Sequence, residues 1–581
     1  MSRTILIHKA VLGAAVVCVA ILSHPALAAV VPAQQSAATN PGRVQEQIQT
    51  PAFMQQGTTP LDVRPGKIEN APPGAEKIHF VLRGVELSGV TAYQDGQLKS
   101  VYAGQIGQTI SLADLYDIAN RLTQKFRNDG YILTQVVVPP QSIEKSGSVV
   151  KLRVVEGYVD SVSVKMEDGA RQESAAAMRL VNNLAGRIHT GQAINIRDLE
   201  RNLLLINDLP GVTARGVLSP SPTRPGAADL TILMKRDLYD AVIGVDNYGT
   251  RYLGPVQYSA AGALNSVFGH NERLSLQVVA APLFNGGPEL AYVAGAYSQP
   301  LLSNGLRMDL SYSHTNTDPG YRLRQFNVNG QSNFFSADLF YPVIRSRATN
   351  LYTTGTFDYR DVKTTNNIEN DRLDHIRALR GEIRLEHLDT LFGAGLNIVD
   401  LQVSQGVDLF GASRISDPNK SRANGDPKFT KFNLELQRLQ RLTGQVNLLV
   451  GAKGQLSDSA LLTSEQFGVG GMGFGRGYDP SEIVGDSGFA TKAELQWNVP
   501  GNYSVTHDNQ LFGFYDFGQV WTRNTNALFH TESEASVGFG LRSKIFHATS
   551  ADFTFAQPLT RRVSTEDDTD PRYFFSVTQK F

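Results

Sequence analysis

The sequence predicts an α+β soluble region followed by a sixteen-stranded antiparallel transmembrane β-barrel, and three observations support this fold class. From about Leu238 to Phe581, apolar and polar residues alternate with a period of two in segments of about ten residues, the length of a tilted membrane strand. Two similar α/β segments precede this region. After Leu22 the sequence has no apolar run of about 18 residues, so it offers no second membrane helix.

Residues 1–28 are predicted to form a signal peptide. A charged start precedes an apolar stretch from Ala10 to Leu22, and Ala28 completes an A-x-A cleavage pattern. The alternative, a transmembrane anchor, would need a longer apolar run. Cys18, the single cysteine, lies inside this segment, so the mature chain would form neither a disulfide nor a thiolate metal site.

Length and charge limit the possible classes. A chain of 581 residues is too long for one ordinary soluble domain and predicts several units. The formal net charge of -1 gives no reason to expect nucleic acid as a partner. The hydrophobic fraction of 41% is low for a helical membrane protein but suits a barrel, in which every second strand residue faces lipid.

Residues 29–77 are rich in Pro, Gln, Ala, Thr and Gly and are predicted to be a linker that contains one short helix. Asn40 is a suitable N-cap for this helix, and Pro41 suits its first position. Val44 and Ile48 give the helix only a narrow apolar face. We therefore expect it to lie in a wet cavity rather than in a dry core.

Residues 78–157, the first module, are predicted to form a strand, a helix and two further strands, with Ser111 as the helix cap and Gly130 as its stop. Residues 158–236, the second module, repeat the theme with two helices. Two such modules in tandem suggest a stack that handles one extended ligand. The predicted strands are 78–82, 131–138, 149–155, 159–164, 212–218 and 229–234, and the predicted helices of the second module are 175–184 and 196–206.

Residues 237–581, the barrel region, carry the alternating segments. Polar and apolar residues alternate in 306–312 and 493–499, and one face of 379–386 carries four charges. A soluble sandwich would also alternate, but these strands are long and follow one another without a helical break. The sixteen predicted strands begin near residues 239, 255, 272, 289, 305, 331, 350, 371, 390, 428, 443, 489, 509, 535, 549 and 572.

The last predicted strand, 573–581, ends on Phe581. A closed barrel pairs its last strand with its first, so that no edge is left free in the membrane. An aromatic residue at this position also suits the membrane interface. We therefore predict that the strand ending at Phe581 closes the barrel.

Several segments resemble the transporters of two-partner secretion, the TpsB proteins of the ShlB/FhaC/HecB type in the BamA-like superfamily. The resemblance implies an outer-membrane barrel, a POTRA domain in each of the two modules, both in the periplasm, and a plug helix within 29–77. It implies no cofactor. The similar segments are 128–131, 138–141 and 155–157 in the first module, 199–211 in the second, and 245–249 at the start of the barrel.

A Gly-rich segment contains the stretch from Phe474 to Tyr478, with Arg476 between Gly475 and Gly477. It resembles the Arg-Gly-Tyr/Phe tip of the superfamily's long extracellular loop, which folds back into the barrel and is expected here at about 458–488. The family often has Val or Ser where this chain has Gly475. Flanking glycines let the backbone pass close to a wall, and arginine offers a rigid fork to a carboxylate.

A second motif supplies the carboxylate. Residues 514–518 resemble the family's F-x-D-x-G strand motif, with Phe514, Asp516 and Gly518 at the motif positions. Asp516 lies on the strand phase opposite to the lipid-facing residues and so points into the lumen. We predict that Arg476 and Asp516 form a loop-anchoring pair. The alternative is an Asp516 that is merely solvated.

The resemblance implies export of a secreted protein with an N-terminal secretion domain, with outer-membrane lipid and the barrel assembly machinery as further partners. The sequence contains no Gly-x-x-x-x-Gly-Lys-Ser/Thr phosphate loop, so we expect the drive to come from folding of the substrate outside the cell. The modules can take an extended segment by strand addition at a sheet edge. The helix at 196–206 is expected to flank that groove, with Leu199, Arg201, Leu203 and Ile206 as candidate docking residues.

Three other functions compete with this interpretation. An outer-membrane protein insertase of the same superfamily would share the barrel and the loop motif, but it usually has more POTRA domains. A passive porin would not need the tandem modules. An enzyme is disfavoured because the sequence has neither a Gly-x-Ser-x-Gly elbow nor a His-Glu-x-x-His zinc motif, and no metal site is predicted.

Overall fold

The structure is a computed structural model that describes residues 39–48, 61–62 and 70–581, except for 95, 189, 225, 282–286, 369, 502–505, 524–530 and 547. The predicted signal peptide and much of the predicted linker lie outside the described residues. None of the described helices is long and apolar enough to cross a membrane.

The chain forms four α-helices and twenty-six strands within the described residues. The helices are α1 Pro41–Gln47, α2 Leu112–Asn128, α3 Ala175–Ala185 and α4 Ile196–Asn207. The strands before the barrel are β1 Leu61–Asp62, β2 His79–Ser88, β3 Thr109–Ser111, β4 Gln135–Val137, β5 Ser148–Val155, β6 Tyr158–Met166, β7 Val212–Pro220 and β8 Ala227–Arg236. The barrel strands and the short strands of its long loop are β9 Tyr239–Asp246, β10 Gln257–Asn265, β11 Arg273–Ala281, β12 Leu290–Pro300, β13 Arg307–Thr317, β14 Asn329–Arg345, β15 Thr349–Thr365, β16 Arg372–Asp389, β17 Gly395–Gly406, β18 Thr430–Arg441, β19 Val446–Ser457, β20 Phe467–Val469, β21 Ile483–Gly485, β22 Ser487–Asn498, β23 Thr506–Trp521, β24 Thr531–Ile545, β25 Thr549–Pro558 and β26 Arg572–Lys580.

The first module packs α2 against a sheet in the order β3-β2-β5-β4. Ser111 and Asp114 form a reciprocal capping box that starts α2. The predicted strand at 131–138 is wrong in its first half, and only Gln135–Val137 pair with β5. The reason is local, because residues after the helix turn back through bonds from Tyr131 N to Phe126 O and from Thr134 N to Tyr131 O.

The second module packs α3 and α4 against a sheet in the order β1-β7-β8-β6. Its first strand comes from the predicted linker, since Leu61–Asp62 pairs in parallel with β7. The apolar stripe of α4 lies in the module's core together with α3 and the inner faces of β7 and β8. This linker strand carries no side-chain pattern in the sequence, so it was not predicted.

The barrel closes with sixteen antiparallel strands, which confirms the predicted fold class. The observed strands begin within five residues of the predicted positions, the largest difference being β17, which starts at Gly395 rather than near 390. A tight turn occupies the intervening residues, with positive φ at Phe392 and Gly393. The alternation places apolar side chains such as Leu379 and Ile383 on the exposed outer face.

The seam of the barrel joins β26 to β9 through five residue pairs, from Ser576–Asp246 to Lys580–Val242. Asn247 extends it, because its side-chain amide donates to Tyr573 O at 2.8 Å and accepts from Phe575 N at 2.7 Å. Phe581 N donates to Ala241 O at 3.0 Å, and the Phe581 ring is exposed.

The second module rests on the turns at one end of the barrel. Arg345, at the end of β14, donates from Nε and Nη2 to the two carboxylate oxygens of Asp208, at 2.8 and 2.7 Å. Arg201 of α4 donates to the carbonyl oxygens of Pro342 and Val343 at 3.0 and 3.2 Å. These bonds fix the module on the turn between β14 and β15.

Replacing Arg345 with alanine is expected to loosen this contact by about 1 kcal/mol, since the two-pronged pair is partly exposed to solvent. The measurement is limited proteolysis of the purified protein in detergent, with faster cleavage between the second module and the barrel. Arg187→Ala is the matched control, because its guanidinium lies 3.5 Å from Ser303 Oγ in an exposed contact on the same interface. Equal cleavage rates for the two variants would contradict the assignment.

Candidate functional site

The segment between β19 and β22, residues 458–486, folds into the barrel lumen; we call it the lumen loop. Its two short strands, β20 and β21, pair with each other. Apolar residues of this hairpin and of the loop tip pack against the inner wall, so the loop is held by a small core of its own. That core consists of Phe467, Val469, Phe474 and Ile483 from the loop with Ala490 and Val520 from the wall.

Three glycines, two in the tip of the lumen loop and one in the wall, allow the tip to lie against the wall. Gly475 has a φ of 107°, and a Cβ there would lie 2.5 Å from Glu534 Oε1. At Gly518 of β23, a Cβ would lie 2.4 Å from Val469 Cγ1 of the loop. Gly477 lies against Ser536 and Pro558 in the same way. The glycines of both sequence motifs therefore occupy the contact between loop and wall.

The structure brings Arg476 and Asp516 together. Arg476 donates to Asp516 through Nε at 2.9 Å, through Nη2 at 2.8 Å and through its backbone N at 3.0 Å. Asp516 is fully buried and Arg476 is 4% exposed. Asp516 is therefore paired in this structure, and the alternative of a merely solvated carboxylate does not describe it.

A second carboxylate, Glu494 of β22, completes the site, and sequence reasoning missed it. Arg476 Nη1 also donates to Glu494 Oε2, and Arg542 Nη1 lies 2.6 Å from Glu494 Oε1. Phe514 stacks under Arg476, with 3.5 Å between the guanidinium carbon and the ring centroid. The sequence did offer one signal for Glu494, because its position between Ala493 and Leu495 points its side chain into the lumen. Two arginines thus pair with two buried acids, and of the four side chains only Arg542 is partly exposed.

Tyr478 fixes the loop on the other side of Arg476. Its hydroxyl donates to Ala535 O at 3.1 Å and accepts from the backbone N of Thr560 at 3.2 Å and of Arg561 at 3.3 Å. The hydroxyl therefore links the lumen loop to β24 and to the loop between β25 and β26. Asp479 adds an ion pair of 2.7 Å with Arg572 of β26.

Helix α1 lies inside the barrel and is bonded to the lumen loop. Arg43 is 1% exposed and donates from Nη1 to the carbonyl oxygens of Thr463 and Gln466 and from Nη2 to Ser481 Oγ at 3.1 Å. From the wall, Arg360 of β15 donates to Gly42 O. The helix that was predicted for a wet cavity is therefore bonded to the loop through the buried Arg43 and to the wall through Arg360.

The lumen loop is also held next to α1 by Glu465. Its carboxylate accepts from Arg380 of β16 at 2.9 Å and from Lys431 of β18 at 2.8 Å. A polar cavity of about 470 Å³ opens beside these groups. Charged side chains of both signs line it, among them Asp338, Asp358 and Lys453.

The candidate docking residues of α4 need a correction. Leu199, Leu203 and Ile206 are at most 1% exposed in the core of the second module, so they cannot contact a substrate directly. Arg201 is engaged by the barrel turn. The helical spacing that suggested a groove is the spacing of the core stripe. Within the described residues, no group of three or more acidic, His or Cys side chains is placed to hold a metal ion.

Adding one methyl group at Gly518 is expected to displace the lumen loop, because the Cβ of Gly518→Ala would overlap Val469 and cost about 1–3 kcal/mol. The measurement is the protease sensitivity of the lumen loop. Gly513→Ala is the matched control on the same strand, since the nearest atom to its Cβ is Gly538 O at 3.8 Å. A Gly518→Ala protein as resistant as the control would show that the contact is not needed.

Comparisons with known proteins agree with this geometry. The chain matches the family model "Haemolysin secretion/activation protein ShlB/FhaC/HecB" over residues 229–543, more than half of its length, and the model "POTRA domain, ShlB-type" over 80–157.

Individual relatives are distant but cover most of the chain. The heme/hemopexin transporter protein HuxB of Haemophilus influenzae is 23% identical over 488 residues, with 81% of this chain and 82% of that protein covered. The hemolysin transporter protein ShlB of Serratia marcescens is 26% identical, with 79% of each chain covered. Among solved structures, CdiB from Escherichia coli shares the fold with a TM-score of 0.69 at 19% identity, over 89% of this chain and 94% of that one. The chain therefore belongs to the ShlB/FhaC/HecB family of outer-membrane transporters, with its POTRA region in the periplasm.

Proposed function

We propose that this chain carries one large exported protein, in unfolded form, from the periplasm through its barrel to the cell surface. The observation that supports this proposal is the content of the lumen. Helix α1 and the lumen loop fill the barrel, and polar bonds through Arg43 and Arg476 hold them there. When the helix and the loop move, these polar groups can form hydrogen bonds with water instead. An apolar plug would have to expose its buried apolar surface to water in order to move.

The client of this transporter is proposed to be a secreted protein with an N-terminal secretion domain. The second module sits beside the barrel entrance. In its sheet the outer side of β7 is paired only with the two-residue strand β1, so an extended segment can add along the rest of that side. The proposed domain division is 78–157 and 158–236 for two POTRA domains and 237–581 for the barrel. Outer-membrane lipid surrounds the barrel, and the barrel assembly machinery acts during its biogenesis.

No chemical reaction is proposed for this chain. The drive for export is proposed to come from folding of the client outside the cell, which removes unfolded segments from the exit. In this scheme Arg476, Asp516 and Glu494 hold the lumen loop and take part in no bond-breaking step.

The insertase and the porin are the remaining alternatives. An insertase would share the barrel fold, and BamA from Haemophilus ducreyi does share it with a TM-score of 0.51. A passive porin needs an open lumen, whereas here the lumen holds α1 and the lumen loop.

Deletion of this gene tests the proposal directly. We expect a large exported protein encoded beside it to disappear from the cell surface and the medium, and a plasmid copy to restore it. The control is the overall level of other outer-membrane proteins, which an insertase would lower and an exporter would not. Unchanged surface display of the neighbour's product would rule out the proposed function.

A further inference from the structure

The loop between β17 and β18, residues 407–429, lies at the end of the barrel away from the second module; we call it the rim loop. Because the second module is in the periplasm, this end faces the outside of the cell. Val407 N donates to Arg377 O at 2.8 Å, and Ser413 N donates to His375 O at 2.8 Å. These bonds hold the rim loop along the part of β16 that extends beyond the end of β17.

The side chain of Arg377 shows on which side of the wall the rim loop lies. Arg380 faces the lumen, where it binds Glu465 at 2.9 Å, so Arg377, three residues earlier in the strand, points outward. Arg377 is nevertheless only 2% exposed, and its Nε donates to Phe410 O at 3.3 Å. Residues 407–416 therefore cover the lipid-facing side of β16; we call them the outer limb.

The outer limb exposes three large apolar side chains. Phe410 is 71% exposed, and Leu409 and Ile415 are exposed as well. The ring of Phe410 lies 5.8 Å from the ring of Phe357, whose cross-strand partner is the lipid-facing Leu379. An exposed apolar patch marks a contact surface, and this one is continuous with the apolar face that the barrel presents to lipid.

Aromatic and charged side chains follow the apolar patch in the outward direction. After Phe357, the next outward residues of β15 are Tyr359 and then Asp361, which is the order expected across a membrane interface. His375 is the cross-strand partner of Asp361 and is bonded to the residue before Arg414. The exposed Arg414 therefore lies at the level of the lipid headgroups.

Arg414 is the single basic residue of the outer limb. Two acids lie near it in the rim loop, and each has a partner of its own. Asp408 pairs with Lys428 at 3.1 Å, and Asp417 accepts a hydrogen bond from the backbone N of Arg414 at 2.7 Å. The guanidinium of Arg414 is thus the cation that the outer limb offers to a lipid phosphate.

The second half of the rim loop contacts the lumen loop. Arg422 donates to both carboxylate oxygens of the buried Asp486, with 3.2 Å between Nη2 and Oδ2, and to Leu461 O at 2.5 Å. Thr463 N donates to Ser421 Oγ at 3.1 Å. One continuous loop therefore touches the lipid-facing wall with its first half and the lumen loop with its second half.

We propose that the outer limb inserts its three exposed apolar side chains among the acyl chains of the outer leaflet, with Arg414 at the lipid phosphates, and that this anchorage holds Arg422 on the lumen loop. The occupant is membrane lipid, because the patch continues the surface by which the barrel already meets lipid. Transfer of large apolar side chains from water into acyl chains is favourable. This contact exists without a client and so goes beyond export.

The anchorage reaches the lumen loop because the rim loop is short between its two contacts. Six positions, 416–421, separate Ile415 from Arg422, and such a segment spans at most about 25 Å. Within it, Ser421 N donates to Asp374 Oδ1 of β16 at 2.8 Å. A lipid contact that is made in this arrangement favours it over arrangements in which the rim loop has moved away from the lumen loop.

A single fluorescent label tests the insertion. Because Cys18 lies in the predicted signal peptide, Phe410→Cys gives the mature chain one thiol, which is labelled with nitrobenzoxadiazole. The full-length protein is placed in phosphatidylcholine vesicles with iodide on both sides of the membrane, or in vesicles whose acyl chains are brominated. We expect the brominated chains to quench this label several-fold more strongly than iodide does.

Ala423→Cys is the matched control for the label, because Ala423 is exposed in the second half of the same loop, next to Arg422. Iodide should quench the label at Ala423 more strongly than brominated chains do. A label at Phe410 that iodide quenches as strongly as the label at Ala423 would overturn the insertion.

Polar substitution tests the anchorage of the lumen loop. In planar lipid bilayers we expect the triple variant Leu409→Ser, Phe410→Ser and Ile415→Ser to conduct for a several-fold larger fraction of time than wild type, because serine gains little among acyl chains. Heat-modifiable mobility in electrophoresis verifies that the barrel is folded. Phe392→Ser is the control, since Phe392 is an exposed aromatic residue at the opposite end of β16 and β17, and its conducting fraction should equal wild type. An unchanged fraction in the triple variant, or an equal rise in the control, would overturn the coupling between lipid and the lumen loop.

Discussion

Replacing Arg476 with glutamate is expected to abolish export while leaving the barrel in the membrane. The new carboxylate would stand beside Asp516 and Glu494, which are both buried, and three acids would face only Arg542 and Lys492. Breaking a buried pair of this kind costs roughly 3–5 kcal/mol, more than a single loop contact can offset. The measurement is surface display of the exported protein together with protease sensitivity of the lumen loop in intact cells.

The charge-swapped double variant, Arg476→Asp with Asp516→Arg, tests whether the ion pair itself matters or whether each residue is needed at its own position. If the pair acts as a latch, the swap should recover part of the export that each single change removes. Arg542→Ala is the matched control, because Arg542 contacts Glu494 but not the loop and is 37% exposed in its side chain. If Arg542→Ala reduced export as much as Arg476→Glu, the net charge of the cluster would be what matters, and the Arg476–Asp516 pair would not act as a latch.

Replacing Arg43 with alanine is expected to free the plug helix. The carbonyl oxygens of Thr463 and Gln466 would lose a charged donor, and each bond to a charged group contributes about 1.5–3 kcal/mol. The measurement is channel conductance in planar lipid bilayers, where the open fraction should rise strongly over wild type. In cells, entry of a large antibiotic that the outer membrane normally excludes should increase.

Glu46→Ala is the control for the plug prediction. Glu46 lies on the same helix and its side chain is 52% exposed, so its 3.5 Å ion pair with Arg43 contributes little. The open fraction of Glu46→Ala should stay near wild type. If Arg43→Ala also stayed near wild type, the plug would be held by Val44 and its apolar neighbours rather than by the arginine.

The Arg43 and Arg476 variants are expected to act in different ways, one by raising conductance and the other by stopping export, so the two results are informative together. Removing Arg43 should open the channel, because the plug then loses its side-chain bonds to the lumen loop. Reversing Arg476 should stop export, because the lumen loop is then misplaced. A single role for the two arginines, as general stabilisers of the lumen, would instead lower export in both cases without raising conductance.

The barrel could be predicted from the sequence because lipid imposes a constraint at every second position. Strands such as β16 and β22 carry that constraint along their whole length, so the alternation is visible without any knowledge of neighbours. The predicted and observed strand starts differ mainly where the residues of a turn continue the alternating pattern. This is the case just before Gly395. The strand at 131–138 was overestimated because the composition of a turn after a helix resembles that of a strand.

The site could be predicted only in part. Arg476 and Asp516 were found through motifs, whereas Glu494 and Arg43 reach the same lumen from distant parts of the chain. An inward polar residue in a barrel strand looks the same in the sequence whether it is solvated or paired. The strand β1 is harder to predict than these side chains, because its pairing uses backbone atoms and does not require particular residue types.

The five-pair seam between β9 and β26 has a consequence for how the barrel forms. Neighbouring strands elsewhere in the barrel follow one another along the chain, but Asp246 and Ser576 at the seam are 330 positions apart (576 minus 246). The entropy of closing so long a loop must be overcome before any seam bond can offset it. We therefore expect closure to be a late step of assembly, and until it occurs the two edges of the open sheet stay unpaired and exposed to misassociation.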